Sequence, residues 1–204
     1  SCRPELLVSA IVSASTLKPL LRQIDTLALG PGLGQTAWSR SIFEYCLEHA
    51  TPNIVDADGL NLLADTRDKR AGWILTPHPG EAARLLDCQA RDIQADRLAA
   101  ASEIAHQYGG ICILKGHGSL VVSDQGDAWL CPYGNAALAV AGSGDVLTGL
   151  LAALLAQGMR PVQASVAAVV LHASAADRYA AEFGNVGMLA SELMGPIRTL
   201  RNQL

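Results

Sequence analysis

The sequence has little positive charge. Lysine and arginine together number 15 against 19 acidic residues, so the formal net charge at pH 7 is −4. Lysine occurs only at Lys18, Lys69 and Lys115, and no basic tract is present. Domains that bind nucleic acid carry a basic patch or stripe on one face. We therefore expect no nucleic-acid partner.

Paired cysteines, clustered histidines and long apolar runs are also missing. The five cysteines include no Cys-x-x-Cys pair and the five histidines show no metal-ligand spacing, which argues against a zinc site and a disulfide framework. The longest apolar stretch, 146–156, is too short to cross a bilayer, and the first residues do not look like a signal peptide. The pattern favours a cytoplasmic protein with reduced thiols and no membrane partner.

Short apolar runs alternate with helical patterns along most of the chain. The strand-like runs lie at 26–29, 53–56, 73–76 and 111–114. The helical patterns between these runs lie at 37–49 and 96–108. The repetition of strand, polar loop and helix predicts an α/β domain over 1–204, with an open, mostly parallel sheet and helices on both faces.

The second half of the chain predicts a hairpin followed by helices. The runs 120–122 and 128–130 flank Asp124-Gln125-Gly126-Asp127, a sequence typical of a hairpin turn. After Asp145 the helical patterns run to about 157, and then over 162–181 and 188–201.

A turn of small residues, Gly142-Ser143-Gly144, precedes Asp145 and a long apolar helix. Successive amides of such a turn, backed by the helix dipole, form a binding site for an anion. A carboxylate beside that site suits phosphoryl transfer, because it can remove a proton from an attacking hydroxyl while the amides stabilise the phosphoryl oxygens. The alternative is a simple helix-capping turn, since Asp and Ser are good N-cap residues.

The loops that follow the predicted strands carry the other candidate residues. Open α/β sheets bind ligands outside the carboxyl ends of their strands. The residues expected at that edge are Gly34, Asp56, Asp58, His78, Glu81, Lys115 and Asp145. Lys115 could reach a phosphate and Glu81 could hold Mg²⁺-bound water. The structural alternatives are turns or helix caps for the acidic residues, an exposed or structural His78, and a solvated strand end at Lys115.

At this point the sequence resembles a known family, the ADP-dependent NAD(P)H-hydrate dehydratases of the ribokinase-like superfamily. The resemblance runs from near Pro4 to about Ala190. The segments that carry it are Gly30-Pro-Gly-Leu-Gly34, Asp56-Ala-Asp-Gly-Leu-Asn-Leu-Leu-Ala64, Leu75-Thr-Pro-His-Pro-Gly-Glu-Ala-Ala83, Lys115-Gly116, Asn135, Gly142-Ser-Gly-Asp-Val-Leu147 and Gly187-Met-Leu-Ala190. The Thr-Pro-His-Pro-Gly-Glu segment discriminates best within the superfamily.

The resemblance implies a repair reaction on damaged nicotinamide cofactors. Enzymes of this family dehydrate the S epimer of hydrated NADH or NADPH, consuming ADP and releasing AMP and phosphate, and Mg²⁺ is the expected metal. Asp145 would be the catalytic base. The residues expected on the substrate side are Gly32, Gly34, Asp56, Asp58, Asn61, His78 and Asp145. Those expected on the nucleotide side are Lys115, Gly116, His117, Gly118, Ser119, Asn135, Gly142, Ser143 and Gly144, with Glu81 near the metal through water.

The chain departs from the family pattern mainly at its start. Ser119 and Ser143 stand where Thr is common, and Ala141 where Gly is frequent. Family members also have a first strand, a glycine-rich loop and helices before the Arg3-Pro4-Glu5 region. Since Leu6 to Val8 is strand-like, we expect a sheet with an open edge there, and an unstable or associating chain. A homo-oligomer, a bound N-terminal piece or a fused epimerase domain are the expected partners.

Two other functions fit part of the pattern. A small-molecule kinase of the same superfamily would share the Gly-x-Gly-Asp base and anion site, although such kinases commonly carry Asn where His78 stands. The second is a nucleotide-binding fragment that binds ADP or AMP without turnover.

Overall fold

The computed structural model describes residues 6–50 and 53–203, and within them a six-stranded sheet carries helices on both faces. The strands are β1 Ala28–Leu29, β2 Ile54–Val55, β3 Ile74–Leu75, β4 Ile111–Leu114, β5 Leu120–Ser123 and β6 Ala128–Leu130. They lie side by side in chain order. The first four strands are parallel, whereas β5 runs antiparallel to β4 and β6 antiparallel to β5.

Nine α-helices and three short 3₁₀ helices surround this sheet in the described ranges. The α-helices are α1 Lys18–Leu21, α2 Ala37–His49, α3 Asp58–Thr66, α4 Pro79–Leu85, α5 Ala90–Ala95, α6 Arg97–Tyr108, α7 Ser143–Ala156, α8 Pro161–Phe183 and α9 Met194–Arg201. The 3₁₀ helices are Ala14–Leu17, Ala136–Leu138 and Ala190–Leu193. None of the helices in these ranges combines the length and apolar character that a bilayer crossing requires.

Successive strand residues enter two separate cores. In β3, Ile74 packs in the cluster that contains Leu151 of α7, while Leu75 packs in the cluster that contains Phe43 of α2. Side chains alternate across a strand, so the sheet is buried on both faces. This burial explains why the parallel strands are unbroken apolar runs in the sequence, and it confirms the predicted α/β architecture.

Most predicted elements are confirmed. The first three strands are shorter than expected, whereas β4 and β6 have the predicted bounds. The helix predicted at 37–49 has those bounds, and the hairpin forms between β5 and β6. The helix predicted over 188–201 is broken into the last 3₁₀ helix and α9.

The strand expected at Leu6 to Val8 is wrong. These residues have no regular secondary structure, and Leu7 is fully exposed. An apolar run becomes a strand only where a neighbouring strand satisfies its backbone groups, and β1 pairs only with β2 among the described residues. Cys2 and the beginning of the family resemblance near Pro4 lie outside the described residues.

The parallel strands bring several loops to one edge. The loop after β1 packs directly on the end of β2, because a side chain at Gly30, whose φ is +131°, would collide with the carbonyl of Asp56. The second turn of α7 reaches the same edge, where Thr148 contacts Asp56. The fold therefore gathers the polar loops where the sequence predicts a shared site.

Candidate active site

A buried carboxylate lies at the centre of this edge. Asp56 directly follows β2 and is only 1% exposed. Lys115 Nζ, at the end of β4, donates to Asp56 Oδ1 at 2.8 Å. Thr148 Oγ1, in α7, donates to Asp56 Oδ2 at 2.6 Å. Glu81 adds a second anion 3.7 Å from Lys115 Nζ. The network ties β2, β4, α4 and α7 together.

The surroundings of Asp56 keep it charged. Burial alone would raise the pKa of this carboxyl, since burial disfavours the charged form. The positive charge of Lys115 and the hydrogen bonds from Lys115, Thr148 and Thr76 outweigh burial and hold the pKa below its usual value. Asp56 is therefore the anion that fixes the ammonium group of Lys115.

The two neighbouring carboxylates, Asp56 and Asp58, serve different partners. Between them Ala57 has φ 49° and ψ −122°, a conformation that residues with a side chain rarely adopt. Past this bend, Asp58 Oδ2 accepts the N–H of Gly34 at 2.8 Å. The strained peptide thus directs Asp56 into the core and ties Asp58 to the glycine loop after β1.

His78 and Glu81 form a reciprocal cap on α4. His78 Nδ1 accepts the N–H groups of Gly80 and Glu81 at 2.9 and 3.2 Å, and Glu81 Oε2 accepts the N–H of His78 at 2.7 Å. With Nδ1 used as an acceptor, the neutral ring carries its proton on Nε2, which lies 3.4 Å from Glu81 Oε1. The capping role considered for Glu81 is thus present in the structure.

A cavity of about 660 Å³ opens beside this network. Eight of the predicted site residues line it: His78, Lys115, Gly116, His117, Ser119, Asn135, Ser143 and Gly144. Much of the remaining wall is apolar and includes Leu138, Val140, Leu147 and Val169. The cavity therefore combines a charged end near Lys115 with an apolar wall, a combination that suits a nucleotide.

The start of α7 provides free amides at the charged end. Gly142 has φ 86° and contributes no side-chain cap. The N–H of Ser143 lies 3.3 Å from the carbonyl of Val140, but those of Gly144 and Asp145 find no acceptor in the described part of the chain. A side chain at Gly144 would lie 3.5 Å from Lys115 Nζ. Uncapped amides beside an ammonium group form an anion site.

Asp145 lies at the edge of this site rather than inside the cavity. Its side chain is exposed and does not line the cavity. It precedes Thr148 by three residues on α7, so both lie on the helix face that meets Asp56. Asp145 thus lies on the face of α7 that meets the end of β2.

Other predicted residues also lie outside the cavity lining, namely Gly32, Gly34, Asp56, Asp58, Asn61, Glu81, Gly118 and Gly142. Asn61 Oδ1 accepts from Arg84 Nη1 at 2.8 Å. Asn135, which does line the cavity, donates through Nδ2 to Asp177 Oδ1 at 2.8 Å. Four of the residues outside the lining, Gly32, Gly34, Asp56 and Asp58, form a second group at the ends of β1 and β2.

Sequence motifs missed His172, although it lines the cavity. His172 is in α8 and is 8% exposed. Its Nε2 lies 3.0 Å from the carbonyl oxygen of Ser143 and therefore donates to it. Burial, together with the charge of Lys115, lowers the pKa of His172 to about 4 despite this hydrogen bond. A polar residue inside an apolar helix was the available signal.

His172 should make stability depend on pH. In the unfolded chain it takes up a proton near its ordinary pKa of about 6.5, whereas in the folded protein it does so at about 4. The unfolded state binds more protons between these values, so lowering the pH should reduce the free energy of unfolding by about 3 kcal/mol. The free energy of unfolding, measured with urea at several pH values in this range, should depend clearly less on pH for His172→Gln than for the wild type. The exposed control His106→Gln should show the pH dependence of the wild type. An equal pH dependence for His172→Gln and the wild type would contradict this.

Disulfides and clusters of side-chain metal ligands are both absent from the described ranges. Cys46, Cys88, Cys112 and Cys131 form no disulfide with one another. No three His, Cys, Asp or Glu side chains within 6–50 and 53–203 come together as ligands for a metal ion.

Comparison with known proteins identifies relatives over almost the whole chain. The bifunctional NAD(P)H-hydrate repair enzyme Nnr of Coxiella burnetii is 42% identical over 200 residues, which cover 98% of this chain and 41% of that protein. The ADP-dependent (S)-NAD(P)H-hydrate dehydratase of Neisseria meningitidis serogroup B is 42% identical over 192 residues, 90% of this chain and 65% of that protein. The chain thus spans about two fifths of the bifunctional relative and about two thirds of the single-function one.

Solved structures show the same fold. The ADP/ATP-dependent NAD(P)H-hydrate dehydratase of Bacillus subtilis, co-crystallised with ATP and Mg²⁺, is 32% identical with a TM-score of 0.76, covering 91% of this chain and 69% of that one. A ribokinase-like protein of Enterococcus faecalis, 24% identical with a TM-score of 0.81, covers 93% of this chain and 66% of that one, and supports the fold alone.

The family expected from the motifs is confirmed by a profile of the NAD(P)H-hydrate dehydratases that matches residues 1–198. The structural comparisons confirm the ribokinase-like α/β fold. Because the profile covers nearly the full length and the fold agrees, this chain belongs to the NAD(P)H-hydrate dehydratase family.

Proposed function

We propose that this chain catalyses the ADP-dependent dehydration of the S epimer of NADH or NADPH hydrate, releasing AMP and phosphate. The observation that carries the proposal is the uncapped start of α7, where free amides, Lys115 and Asp145 meet beside a cavity suited to a nucleotide. Family membership supports the substrate and the co-reactant.

ADP would lie with its phosphates at the charged end of the cavity. The amides of Gly144 and Asp145 would bind the β-phosphate oxygens, and the ammonium group of Lys115 would add a positive charge beside them. The adenosine would extend along the apolar wall that contains Leu138 and Val169. This orientation matches each part of the nucleotide to the polarity of its surroundings.

The hydrate would approach from the Asp145 side, near Asp58 and Gly34. Asp145 would take the proton of the ring hydroxyl while the hydroxyl oxygen attacks the β-phosphorus of ADP. The bond between that phosphorus and the bridging oxygen breaks, and AMP leaves. The ring now carries a phosphate ester. Loss of this group as inorganic phosphate, with loss of a ring proton, restores the dihydropyridine.

The residues present fit Mg²⁺ as a hydrated ion carried by the nucleotide. Mg²⁺ usually keeps several waters and binds one or two carboxylates together with substrate phosphates. Glu81 is the carboxylate for this role, although Oε2 already accepts the N–H of His78, so contact through water fits better than direct coordination. The ion would neutralise phosphate charge.

The reaction is tested by following recovery of NADH from its hydrate, with ADP or ATP as the co-reactant. Production of NADH, AMP and phosphate in equal amounts is the expected result. A phosphorylated small molecule formed from ATP, without NADH recovery, would favour a kinase. Binding of ADP without turnover of any hydrate would indicate an inert nucleotide-binding protein.

His78→Asn offers a matched test of the histidine. Asn can keep the N-cap on α4 through its side-chain oxygen but loses the Nε2 proton. We expect the KM for the hydrate to rise several-fold, because one hydrogen bond to a neutral group contributes about 0.5–1.5 kcal/mol. The KM for ADP should change less, although His78 also lines the cavity. Steady-state kinetics with each substrate varied measures both, and a larger effect on ADP would place His78 on the nucleotide side.

The setting of the reaction is also part of the proposal. We place it in the cytoplasm, in a homo-oligomer, with an N-terminal segment of the family completing the substrate side. The bifunctional relative, of which this chain covers 41%, supports a second, fused domain as a partner, and the family resemblance implies that this domain is an epimerase. Intact mass and light scattering of the purified protein test the assembly.

A further inference from the structure

Arg97, which no motif singled out, clamps the loop that follows β4. It is the first residue of α6. Its Nη2 lies 3.2, 3.4 and 3.3 Å from the carbonyl oxygens of Leu114, Lys115 and Gly118. Its Nη1 donates to Gln94 Oε1 at 3.2 Å. One guanidinium therefore holds three carbonyls of a single loop on one side.

These contacts determine where the loop's amides point. In a regular strand successive carbonyls alternate in direction, but those of Leu114 and Lys115 both face Arg97. In a trans peptide the N–H points away from the carbonyl. The N–H of Lys115 accordingly donates to the carbonyl of Pro77, at 2.8 Å, on the β3 side.

The amide of Gly116 should point the same way. The N–H of Gly116 belongs to the same peptide group as the carbonyl of Lys115, and that carbonyl faces Arg97. The N–H therefore points to the opposite side of the loop, toward the cavity that His78 and Gly116 line. This N–H has no acceptor within the described residues. It is therefore a free donor aimed toward the proposed nucleotide site.

Arg97 and Gly116 are also closely packed. Gly116 has φ +141°, and a side chain there would lie 3.0 Å from Arg97 Nη1. Arg97 is partly buried, and burial lowers the pKa of its guanidinium, which nevertheless stays charged at neutral pH. The charge lies behind the loop and touches only its carbonyl side.

We propose that Arg97 is a positioning residue for the nucleotide: by holding the carbonyls of Leu114, Lys115 and Gly118, it directs the Gly116 amide and the base of the Lys115 side chain toward the cavity. The inference rests on the proposed function in one respect, that the cavity binds ADP. It assigns no contact between Arg97 and the ligand.

Loss of the clamp should weaken ADP binding selectively. If the binding-competent loop conformation falls to about one tenth of the population, the apparent Kd for ADP rises about tenfold. The test measures ADP binding by calorimetry for the wild type, Arg97→Met and Arg97→Lys. Met keeps much of the aliphatic stem without the guanidinium, and Lys keeps the charge but cannot hold three carbonyls at once. We expect about tenfold weaker binding for Met and a smaller loss for Lys.

The matched control is Arg91→Met. Arg91 lies in α5, and its side chain is 78% exposed, with a 3.8 Å ion pair to Asp92. This variant removes the same charge from a nearby helix and should bind ADP as the wild type does. Added guanidinium ion at millimolar concentration should restore part of the ADP affinity of Arg97→Met and leave Arg91→Met unchanged.

Two results would overturn the proposal. One is an ADP affinity of Arg97→Met within twofold of the wild type. The other is an equal rise in Kd for ADP and in KM for the hydrate without guanidinium rescue, which indicates general structural damage. If Arg97→Met fails to fold, the same comparison of the Kd for ADP with the KM for the hydrate is made on Arg97→Lys. Wild-type protein that binds ADP but converts no hydrate would remove the proposed function, while the binding comparison still decides the role of Arg97.

Discussion

Replacing Asp145 by Asn is expected to lower the rate of hydrate conversion by about 10²–10⁴-fold, the contribution of a well-positioned general base. Asn has nearly the same shape but cannot accept the hydroxyl proton. The affinity for ADP should stay close to that of the wild type, because the amides at the start of α7 and the Lys115 ammonium group are unchanged. Turnover is measured by NADH recovery, and ADP binding by calorimetry.

Asp127→Asn is a suitable control for this experiment. Asp127 is exposed in the turn between β5 and β6, and the neighbouring Asp124 bonds to Gly110 at the opposite end of β4 from Lys115. Asp127→Asn removes the same charge as Asp145→Asn and should leave turnover intact. Asp145→Asn should also lose under about 1 kcal/mol of stability, the usual size of a helix-start charge effect. If Asp145→Asn keeps more than about a tenth of the wild-type rate, another group is the base.

The fold was largely predictable because the signals are local. Each parallel strand is buried on both faces, so an apolar run of four residues such as 111–114 is recognisable without knowledge of its neighbours. The loops at the strand ends were found by the same logic. The exception is Leu6 to Val8, which has a strand-like composition but lacks a neighbouring strand among the described residues.

The sequence predicted which residues belong to the site much better than it predicted which of them contact one another. The motifs identified Asp56, but its partner Thr148 lies 92 positions away and belongs to no motif. Likewise, the His172 contact with Ser143 spans 29 positions. Such pairs depend on how α7 and α8 pack on the sheet, and local patterns in a single sequence do not reveal this packing. The substrate role of Asp56 stays a prediction, and the structure gives this residue a second role in the core.

That second role leads to a large expected effect on stability. Asp56→Ala should lower the free energy of unfolding by about 3 kcal/mol, because breaking a buried ion pair leaves its partner uncompensated. We expect the lower end of the usual range, since Lys115 keeps Glu81 at 3.7 Å and is 19% exposed. Thr148 would also lose its acceptor. Urea unfolding monitored by circular dichroism measures the change.

The chain offers a matched control in Asp65→Ala. Asp65 pairs with Arg40 at 2.7 Å, but these side chains are 59% and 42% exposed. An exposed ion pair of this kind contributes at most about 1 kcal/mol, so this variant should be nearly as stable as the wild type. Both substitutions remove one carboxylate from one ion pair, so the contrast reports the effect of burial together with the loss of the Thr148 hydrogen bond.

A double variant, Asp56→Ala with Lys115→Met, separates the ion pair from simple loss of packing. If the uncompensated ammonium group causes the loss, removing it should recover a substantial part of the stability, since an apolar replacement of a buried pair is often neutral or better. Nucleotide binding should not recover, because Lys115 is then absent. The opposite outcome is additivity, in which the stability loss of the double variant equals the sum of the losses of Asp56→Ala and Lys115→Met. Additivity would show that the two side chains act independently. The Asp56–Lys115 contact would then not be what holds the ends of β2 and β4 together at this edge.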